Sequence, residues 1–358
     1  MRVAVVGSGG VGGWLGALLQ SSGAAEVIFV GRPGSPHTLA LQTTGLVFTS
    51  ADESESCTLA SVDCIASDEV GSAGPVDYVL LCTKTWQLDD AVLSAIPPLL
   101  RPDGHTVVLT TQNGVEAHDR VAERCGQGCV LAAVTRVAAY VDSPGVVVKT
   151  EAFTGGSLEI GECFPETAQP GRVAALLDLL AAAGIAASAS DDILAALWTK
   201  LVSMGSFGPV GAVARAPIDV LIGIPETRAV VEAAMNEIVA VAHVSSTIVA
   251  GIWVAFFRER QQWSCEQALN IGVDAGFPQE YLSTSAKTSP PGTTVSTIRD
   301  VLNGSASEVL ELSGAVVRHG LATGTPTPTH SMLVGMLLPQ ERANRGELEF
   351  TLAGVNKL

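Results

Sequence analysis

The sequence predicts an α/β domain built on a mostly parallel sheet, followed by an all-α domain. Three observations predict this. Short, apolar, β-branched segments recur through the first half, a glycine-rich turn joins the first of them to a helical segment, and helical periodicity dominates after about residue 190. At 358 residues the chain exceeds the length at which a single core usually stops growing. We therefore expect two domains, 1–189 and 190–358.

The apolar segments of the first half predict buried parallel strands. RVAVVG (2–7) and EVIFVG (26–31) enclose a helical segment, which gives the length of one βαβ unit. The theme recurs in DYVLLCT (77–83), TVVLTT (106–111) and CVLAAVT (129–135). Near-continuous apolar strands are typical of a parallel sheet that helices cover on both faces. The polar stretch 49–56 indicates a loop or an edge hairpin.

The second half predicts helices. The segment SDDILAALWTKLVSM begins with Ser190, a residue type that commonly caps helix N-termini, ahead of two acidic residues. TRAVVEAAMNEIVAVAH and SASEVLELSGAVVRHGLA show the same helical spacing of apolar residues. A loop rich in proline, threonine and serine, 283–297, separates these two segments.

Composition and charge exclude several classes of partner. The 36 acidic residues outnumber the 20 basic ones, and the formal net charge of −16 would repel nucleic acid or an anionic membrane over most of the surface. The apolar start of the chain is too short for a signal peptide, and the apolar segment 244–257 is too short for a membrane span. Seven scattered cysteines form neither a disulfide framework nor a zinc pattern. We expect a soluble, cytoplasmic protein with reduced thiols and no metal site.

The turn GSGGVG carries the first functional signal. Gly7, Gly9 and Gly12 stand in GxGxxG spacing directly after the first predicted strand and ahead of a helix. The first glycine permits a tight turn, the second lets a pyrophosphate approach the backbone, and the third lets the helix pack against the strand. The N–H groups at the start of the helix would face the phosphates. The alternative is a glycine-rich turn without a ligand.

The end of the second predicted strand discriminates between cofactors. NAD sites commonly place an acidic residue there for the ribose 2′-hydroxyl, whereas this chain has Arg32 and no acid nearby. A guanidinium suits a 2′-phosphate, so we expect NADPH. The alternative is a solvated loop arginine. S-adenosylmethionine, which methyltransferases bind at a similar glycine-rich turn, is disfavoured because its ribose also calls for an acidic acceptor.

Three further polar residues stand out against apolar surroundings. Lys84 and Asn113 each follow a predicted buried strand, at the carboxyl end where parallel sheets bind ligands, although each could be an ordinary turn residue. Lys200 is the single charge between Ala195 and Arg215. Its stem could lie along an apolar helix face with the ammonium in water, or the ammonium could be held in a cleft for chemistry.

With these residues in place, the chain resembles the ketopantoate reductase family, whose members reduce 2-dehydropantoate to pantoate with NADPH. The resemblance rests on GSGGVG, VGR, KTWQ, QNGV, LWTKL, VSTIRD and SEVLELSG, which occur in the family's order over nearly the full length. It implies an N-terminal Rossmann domain, a C-terminal all-α domain of the 6-phosphogluconate dehydrogenase C-terminal type, and an active site in the cleft between them.

The resemblance also implies catalytic roles. Lys200 matches the family's catalytic lysine, and Glu308, eight residues after Asp300, matches its catalytic glutamate. Lys200 would donate the proton that the ketone oxygen needs when hydride adds to the carbonyl carbon, and Glu308 would orient the ammonium or accept a substrate hydroxyl. The alternative for Glu308 is a solvated helix residue, as we expect for Glu311 nearby.

Three other positions match binding residues of the family. Ser296 takes the place of a serine that contacts the substrate carboxylate. Asn113 takes that of an asparagine that bridges cofactor and substrate, and Lys84 that of a lysine close to the cofactor. The threonines around Ser296 could serve that loop equally well.

One stretch departs from the family pattern. The family usually carries asparagines four and eight residues after the lysine, both contacting substrate, whereas this chain has Met204 and Gly208. Because a pocket that loses hydrogen-bonding groups changes which substrate it accepts, we expect these two substrate-binding positions to alter specificity. The small-molecule substrate would be ketopantoate or a related 2-oxo acid.

Further hypotheses remain open. The enzyme could reduce another ketone, a β-keto compound or a cyclic imine in a biosynthetic pathway, since Lys200 is kept while both asparagines are lost. A non-catalytic NADPH sensor is a third hypothesis, although retention of Lys200 and Glu308 speaks against it. The apolar segment 248–257 could pack within the second domain or form the face of a homodimer.

Overall fold

The structure is a computed structural model, and it describes residues 1–150, 156–244, 281–282, 285 and 290–349. It divides into two compact units, Met1–Leu194 and Ala195–Leu358. The boundary expected from the sequence, between residues 189 and 190, precedes this division by five residues. The apolar segment 248–257 and part of the loop 283–297 lie outside the described residues.

The first unit contains two sheets. In chain order the strands are β1 (Arg2–Val6), β2 (Glu26–Gly31), β3 (Leu46–Ser50), β4 (Cys57–Leu59), β5 (Asp63–Ala66), β6 (Tyr78–Leu81), β7 (Val107–Thr110), β8 (Val130–Arg136), β9 (Ala139–Ser143), β10 (Val146–Lys149), β11 (Ser157–Glu162) and β12 (Ala186–Ala189). The larger sheet has eight strands in the order β12-β11-β8-β7-β6-β1-β2-β5, and the smaller sheet has the order β4-β3-β10-β9.

The central part of the larger sheet has the Rossmann arrangement. Strands β5, β2, β1, β6, β7 and β8 are neighbours in this order, and each pair runs parallel. This is the 3-2-1-4-5-6 order of dinucleotide-binding folds, in which the strand order reverses between β1 and β6. The predicted parallel sheet is confirmed, and β11 extends it by pairing antiparallel with β8.

Helices cover both faces of this sheet. They are α1 (Gly10–Ser21), α2 (Pro36–Thr44), α3 (Asp90–Ser94), α4 (Ala117–Cys125) and α5 (Arg172–Ala182). Alternate residues of β1 belong to different cores, because Val3 and Val5 pack on the side of α1 whereas Ala4 and Val6 pack on the side of α4. Burial of both faces explains why these strands have near-continuous apolar sequences.

The smaller sheet is not predicted by the sequence patterns above. β3 and β4 form an antiparallel hairpin, and the polar stretch 49–56 provides its turn. β10 pairs parallel with β3 and antiparallel with β9. Leu46, Phe48 and Val147 from this sheet are buried in the same core as α1. The smaller sheet therefore packs against the helix that follows the glycine-rich turn.

The second unit is helical over its described part. Numbered as they are described, its helices are α6 (Ile193–Ala214), α7 (Ile218–Gly223), α8 (Pro225–Val244), α9 (Ser296–Leu302), α10 (Val309–Thr323) and α11 (Pro328–Asn344). Helices α8, α10 and α11 pack around the buried side chain of His330. Its Nδ1 lies 3.1 Å from Ser313 Oγ, and its Nε2 lies 3.0 Å from the Ala234 carbonyl oxygen. The predicted helical second half is confirmed.

Helix α6 is the long apolar helix of this unit. Among the described helices it is the one long and apolar enough to cross a membrane, and 72% of the apolar window is buried inside the structure, as is usual for a core helix. Pro209 lies within it and has no N–H to donate to the Gly205 carbonyl. Ser313 of α10 donates its hydroxyl to that carbonyl at 3.4 Å. This bond compensates the proline and ties α10 to α6.

The predicted N-cap of α6 is wrong. The helix begins at Ile193, three residues beyond Ser190. The Ser190 hydroxyl donates to Glu159 Oε1 at 2.7 Å, and its N–H donates to the Ile160 carbonyl at 2.7 Å. These bonds continue the pairing of β12 with β11. At Ser190 the chain is therefore still attached to the sheet and cannot yet begin the helix.

Candidate active site

The glycine-rich turn follows β1 at the carboxyl edge of the larger sheet. Gly7 has a φ of +93°, and a Cβ on it would lie 2.7 Å from Thr83 N. A Cβ on Gly12 would lie 2.0 Å from the Gly7 carbonyl oxygen and 2.9 Å from Val5 Cγ1. Both positions therefore require glycine, Gly7 for its backbone conformation and Gly12 for the close approach of α1 to β1.

Gly9 faces open space at the start of α1. A Cβ built on Gly9 would meet no atom within 4 Å. Helix α1 has no acidic residue in its first turn, and no side chain caps its N-terminus. The unpaired N–H groups and the partial positive charge of the helix start therefore remain available to an anion. These features fit the phosphates of a dinucleotide.

Arg32 directly follows β2, the parallel neighbour of β1. Its side chain is exposed, and it has no hydrogen-bond or ion-pair partner within the ranges that the structure describes. The loop from 32 to 36 contains no acidic residue that could pair with it. The guanidinium is therefore available for a phosphate at the end of the second strand.

Lys84 and Asn113 lie in the loops that follow β6 and β7, which are neighbouring parallel strands. Thr85 Oγ1 donates to the Asn113 carbonyl oxygen at 2.8 Å and joins the two loops. Lys84 is exposed and Asn113 is half-buried. Because β1 lies between β2 and β6, all the predicted cofactor residues share the carboxyl edge of four adjacent strands.

Gln112 is a residue of this edge that the sequence analysis missed. Its side chain is buried, and its Nε2 donates to the carbonyl oxygens of Leu81 and Thr83 at 2.9 and 3.0 Å. Its Oε1 is buried and has no hydrogen-bond partner in the described structure. The amide thus holds the loop after β6 and leaves one acceptor for a ligand or water. Its place at the end of an apolar strand is the signal that could have identified it.

Lys200, Met204 and Gly208 lie on one face of α6, because residues four apart stack along a helix. Lys200 and Met204 are half-buried. Trp198 is buried, and its ring meets that of His319 edge-on with the centroids 5.4 Å apart. Trp198 is therefore a core residue, whereas Lys200 and Met204 keep part of their surface accessible.

Gly208 marks a close contact between α6 and α9. A Cβ on Gly208 would lie 3.0 Å from Thr297 Cβ and 3.1 Å from Thr297 Oγ1, and a Cβ on Gly211 would lie 2.3 Å from Ile298 Cδ1. A side chain at position 208 would therefore need Thr297 to give way by a few tenths of an ångström. Ser296 Oγ and Thr297 Oγ1 are buried without a hydrogen-bond partner among the described residues. Two unpartnered hydroxyls thus lie at the start of α9, and Thr297 touches the glycine.

Glu308 directly precedes α10 and is only 4% exposed, so it is not a solvated helix residue. The residue before it, Ser307, is fixed by Glu341: the Ser307 N–H and hydroxyl donate to the Glu341 carboxylate at 3.0 and 2.6 Å. Arg345 donates to Glu341 at 2.7 Å and to Glu311 at 3.0 Å. This Arg345 cluster, made of Ser307, Glu311, Glu341 and Arg345, fixes the chain next to Glu308.

The expectation that Glu311 is solvated is wrong. Burial raises the pKa of Glu311 above its ordinary value, and the hydrogen bond and charge of Arg345 oppose that rise. The reason lies in α11, which brings Arg345 and Glu341 against the first turn of α10. In the second unit the structure thus brings Gly208 to the start of α9 and buries Glu308, while a contact between Lys200 and Glu308 stays a prediction.

Comparison with known proteins agrees with this arrangement. Residues 3–163 match the family described as Ketopantoate reductase PanE/ApbA, and residues 192–341 match Ketopantoate reductase PanE/ApbA C terminal. The chain is 28% identical over 357 residues to 2-dehydropantoate 2-reductase of Mesorhizobium japonicum, which covers 94% of this chain and 97% of that protein.

Solved structures show the same fold over most of the chain. Crystalline 2-dehydropantoate 2-reductase from Geobacter metallireducens is 24% identical and gives a TM-score of 0.77, covering 94% of this chain and 99% of that one. D-mandelate dehydrogenase, in a ternary structure with NADH and anilino(oxo)acetate, is 21% identical and gives a TM-score of 0.75, covering 96% and 99%.

A Rossmann sheet with an anion-accepting glycine turn, followed by a helical unit, defines a two-domain oxidoreductase that uses a nicotinamide cofactor. The two family matches together span most of both units. The chain belongs to the ketopantoate reductase family, and it is an oxidoreductase that acts on a keto group.

Proposed function

We propose that the protein reduces a 2-oxo acid to the corresponding 2-hydroxy acid with NADPH, and that the substrate is 2-dehydropantoate or a relative of it. Lys200 carries this proposal. It is a half-buried lysine on an apolar and mostly buried helix, in a chain whose family acts on keto groups.

The carboxyl edge of the larger sheet would hold the cofactor. The turn with Gly7, Gly9 and Gly12 would receive the pyrophosphate, and Arg32 would bind the 2′-phosphate that distinguishes NADPH from NADH. Lys84 and Asn113 would border the cofactor from the neighbouring loops. When bound, NADPH supplies the hydride.

Lys200 and Glu308 would manage the proton. Reduction of a ketone leaves negative charge on its oxygen, and the Lys200 ammonium would stabilise that charge and donate a proton from Nζ. Glu308, buried at the start of α10, would orient the ammonium. Ser296 Oγ, which is buried and unpartnered in the described structure, would donate to the substrate carboxylate, and Asn113 would bridge substrate and cofactor.

The Met204 and Gly208 positions favour a second candidate substrate. Met204 offers a thioether, and Gly208 is packed against Thr297, so neither residue supplies an amide to a substrate hydroxyl. A pocket without such groups loses its means of rejecting an analogue that lacks the hydroxyl. The second candidate is therefore a 2-oxo acid without this hydroxyl or, more distantly, another ketone, a β-keto compound or a cyclic imine.

Replacing Arg32 with alanine is expected to weaken NADPH binding about tenfold and to leave NADH binding unchanged, because an exposed charge-assisted contact to the 2′-phosphate is lost. The dissociation constants of both cofactors, measured by fluorescence, check this. Arg101→Ala is the matched control, since Arg101 is also exposed but precedes β7 at the opposite edge of the sheet. Equal losses for the two cofactors would remove the NADPH assignment.

Steady-state oxidation of NADPH, followed by absorbance, tests the function itself. The panel contains 2-dehydropantoate, other 2-oxo acids, β-keto acids and cyclic imines. Turnover of a 2-oxo acid supports the proposal. Tight NADPH binding without turnover across the panel would contradict it and favour a non-catalytic NADPH sensor.

We also propose that the protein is cytoplasmic and forms a homodimer, with domains 1–189 and 190–358. The net charge of −16, which would repel nucleic acid and anionic membranes, supports the location. The apolar segment 248–257, which lies outside the described residues, supports the homodimer through its sequence. Light scattering of the purified protein measures its oligomeric state.

A further inference from the structure

His37, the second residue of α2, connects two backbone segments that are distant in sequence. Its Nε2 lies 2.8 Å from the carbonyl oxygen of Ser8, within the glycine-rich turn. Its Nδ1 accepts a hydrogen bond of 3.1 Å from the N–H of Gly145, in the turn between β9 and β10. Because Nδ1 accepts, the ring proton resides on Nε2, which donates to Ser8. The bond from Gly145 requires the neutral imidazole, because a protonated ring has no acceptor at Nδ1.

The bond to Ser8 sets the direction of a neighbouring N–H. The Ser8 carbonyl and the Gly9 N–H belong to one planar trans peptide, in which they point in opposite directions. When His37 holds the carbonyl on one side, the Gly9 N–H is directed to the other. No acceptor for this N–H is present in the described residues, and the space beside Gly9 is open. An anion at the turn would meet this donor.

The bond to Gly145 fixes the smaller sheet against the same turn. A Cβ on Gly10 would lie 2.1 Å from the Ala139 carbonyl oxygen, so the backbone of β9 lies directly on the first residue of α1. Gly145 has a φ of +81° and occupies the tight connection from β9 to β10. His37 therefore joins α2, the glycine-rich turn and this hairpin into one rigid set.

We propose that neutral His37 is a positioning residue for the dinucleotide, which keeps the Ser8–Gly9 peptide oriented so that the Gly9 N–H can donate to a cofactor phosphate. The inference rests on the proposed binding of NADPH at this turn. His37 itself touches the backbone and not the phosphate. Protonation turns Nδ1 from an acceptor into a donor that faces the Gly145 N–H, so the bond to Gly145 is lost and the hairpin is released from the ring, while Nε2 can still donate to Ser8.

The environment of His37 favours its neutral form. Burial lowers its pKa below the ordinary value of 6.5, and the Ser8 carbonyl opposes this with a smaller effect. The titratable or charged groups on the elements around it are Arg32 in the preceding loop, Asp63 and Cys64 on β5, Asp142 on β9 and Lys149 on β10. None of them is among the causes of the shift. The folded protein thus binds this proton less readily than the unfolded chain, so the bond to Gly145 is complete above pH 6.5 and is lost as the pH falls through the lowered pKa.

The test is NADPH affinity as a function of pH, between about pH 5.5 and 8, for the wild type, His37→Gln and His37→Phe. Gln carries an amide that can both donate and accept and that does not titrate. Phe keeps an aromatic ring at this position and loses both hydrogen bonds. We expect His37→Phe to bind NADPH roughly tenfold more weakly at pH 8, and His37→Gln to bind within about threefold of the wild type. Since the 2′-phosphate titrates near pH 6 in every sample, the readout is the extra loss of affinity at low pH that the wild type shows and His37→Gln does not.

The outcomes distinguish the positioning role of His37 from the proposed binding of NADPH. The positioning role would be overturned if His37→Phe bound NADPH as tightly as the wild type, or if the affinity of His37→Gln depended on pH as that of the wild type does. Neither result would affect the proposed binding of NADPH. Failure of the wild type to bind NADPH at any pH would overturn the proposed function and the positioning role with it. If His37→Phe does not fold, as judged by circular dichroism, the comparison of His37→Gln with the wild type decides alone.

Discussion

Replacing Lys200 with methionine is expected to lower kcat for the keto substrate about a thousandfold while NADPH affinity stays unchanged. Methionine keeps an unbranched stem on the apolar face of α6 and removes the ammonium, so the packing of this half-buried position is largely retained. The residues proposed to bind the cofactor belong to the first unit, whereas Lys200 belongs to the second.

Two companion variants refine this experiment. Lys200→Ala removes the stem as well and should be as slow as Lys200→Met. Lys200→Arg keeps the positive charge, but a guanidinium does not give up its proton in the working range, so it should remain at least a hundredfold slower than the wild type. Wild-type kcat in Lys200→Met would show that Lys200 is a lysine whose stem merely covers an apolar surface.

Replacing Arg345 with methionine is expected to destabilise the second unit by about 3 kcal/mol or more, because it leaves the buried Glu341 and the half-buried Glu311 without their cationic partner. Glu341 is 1% exposed, and both Glu341 and Glu311 accept hydrogen bonds from this single guanidinium. Urea unfolding measures the change. The matched control is Arg228→Met, which breaks an exposed i,i+4 pair with Glu232 and should cost no more than about 0.5 kcal/mol.

The destabilisation of Arg345→Met should depend on pH with a definite sign. Burial already raises the pKa of Glu311, and loss of Arg345 removes the group that opposes the rise. A carboxyl whose pKa is raised in the folded state binds its proton more readily there than in the unfolded chain. The variant should therefore recover part of its lost stability as the pH falls from about 8 toward 5. A loss equal to that of Arg228→Met at every pH would contradict the role of the cluster.

The sequence was sufficient for features whose cause is local. The strands at 2–7 and 26–31 are apolar throughout because helices bury both faces of the sheet, and this leaves a continuous pattern that can be recognised. The glycines at positions 7 and 12 are required by a positive φ and by a close helix-to-strand contact, which are also properties of a short segment. The fold class and the location of the glycine-rich turn could therefore be predicted.

Features that depend on distant partners could not be predicted in this way. His37 is bonded to a residue 108 positions away, and Arg345 is bonded to one 34 positions away. Glu311 has the sequence environment of a surface residue, and only the packing of α11 on α10 buries it. Ser190 has the type and position of a helix cap, but pairing of β12 with β11 keeps its hydroxyl elsewhere.

Gly208 could be predicted only in part from the sequence. The sequence shows that the asparagine expected from the family is absent, while the structure shows that α9 occupies the space and that the Thr297 hydroxyl lies beside the glycine. Substitution with asparagine would therefore need Thr297 to shift by a few tenths of an ångström as well as a change of side chain. Whether the lost amides change the substrate is a question of relative rates.

The most direct measurement compares kcat/KM for 2-dehydropantoate and 3,3-dimethyl-2-oxobutanoate, which differ only in one hydroxyl group, with NADPH oxidation and the 2-hydroxy acid product both quantified. We expect both 2-oxo acids to be reduced, with kcat/KM values within about tenfold of each other, because neither Met204 nor Gly208 offers an amide that could bind the substrate hydroxyl. We also expect Lys200→Met to lower kcat for both substrates about a thousandfold. If NADPH bound but one of the two 2-oxo acids gave no 2-hydroxy acid product, this prediction would be contradicted.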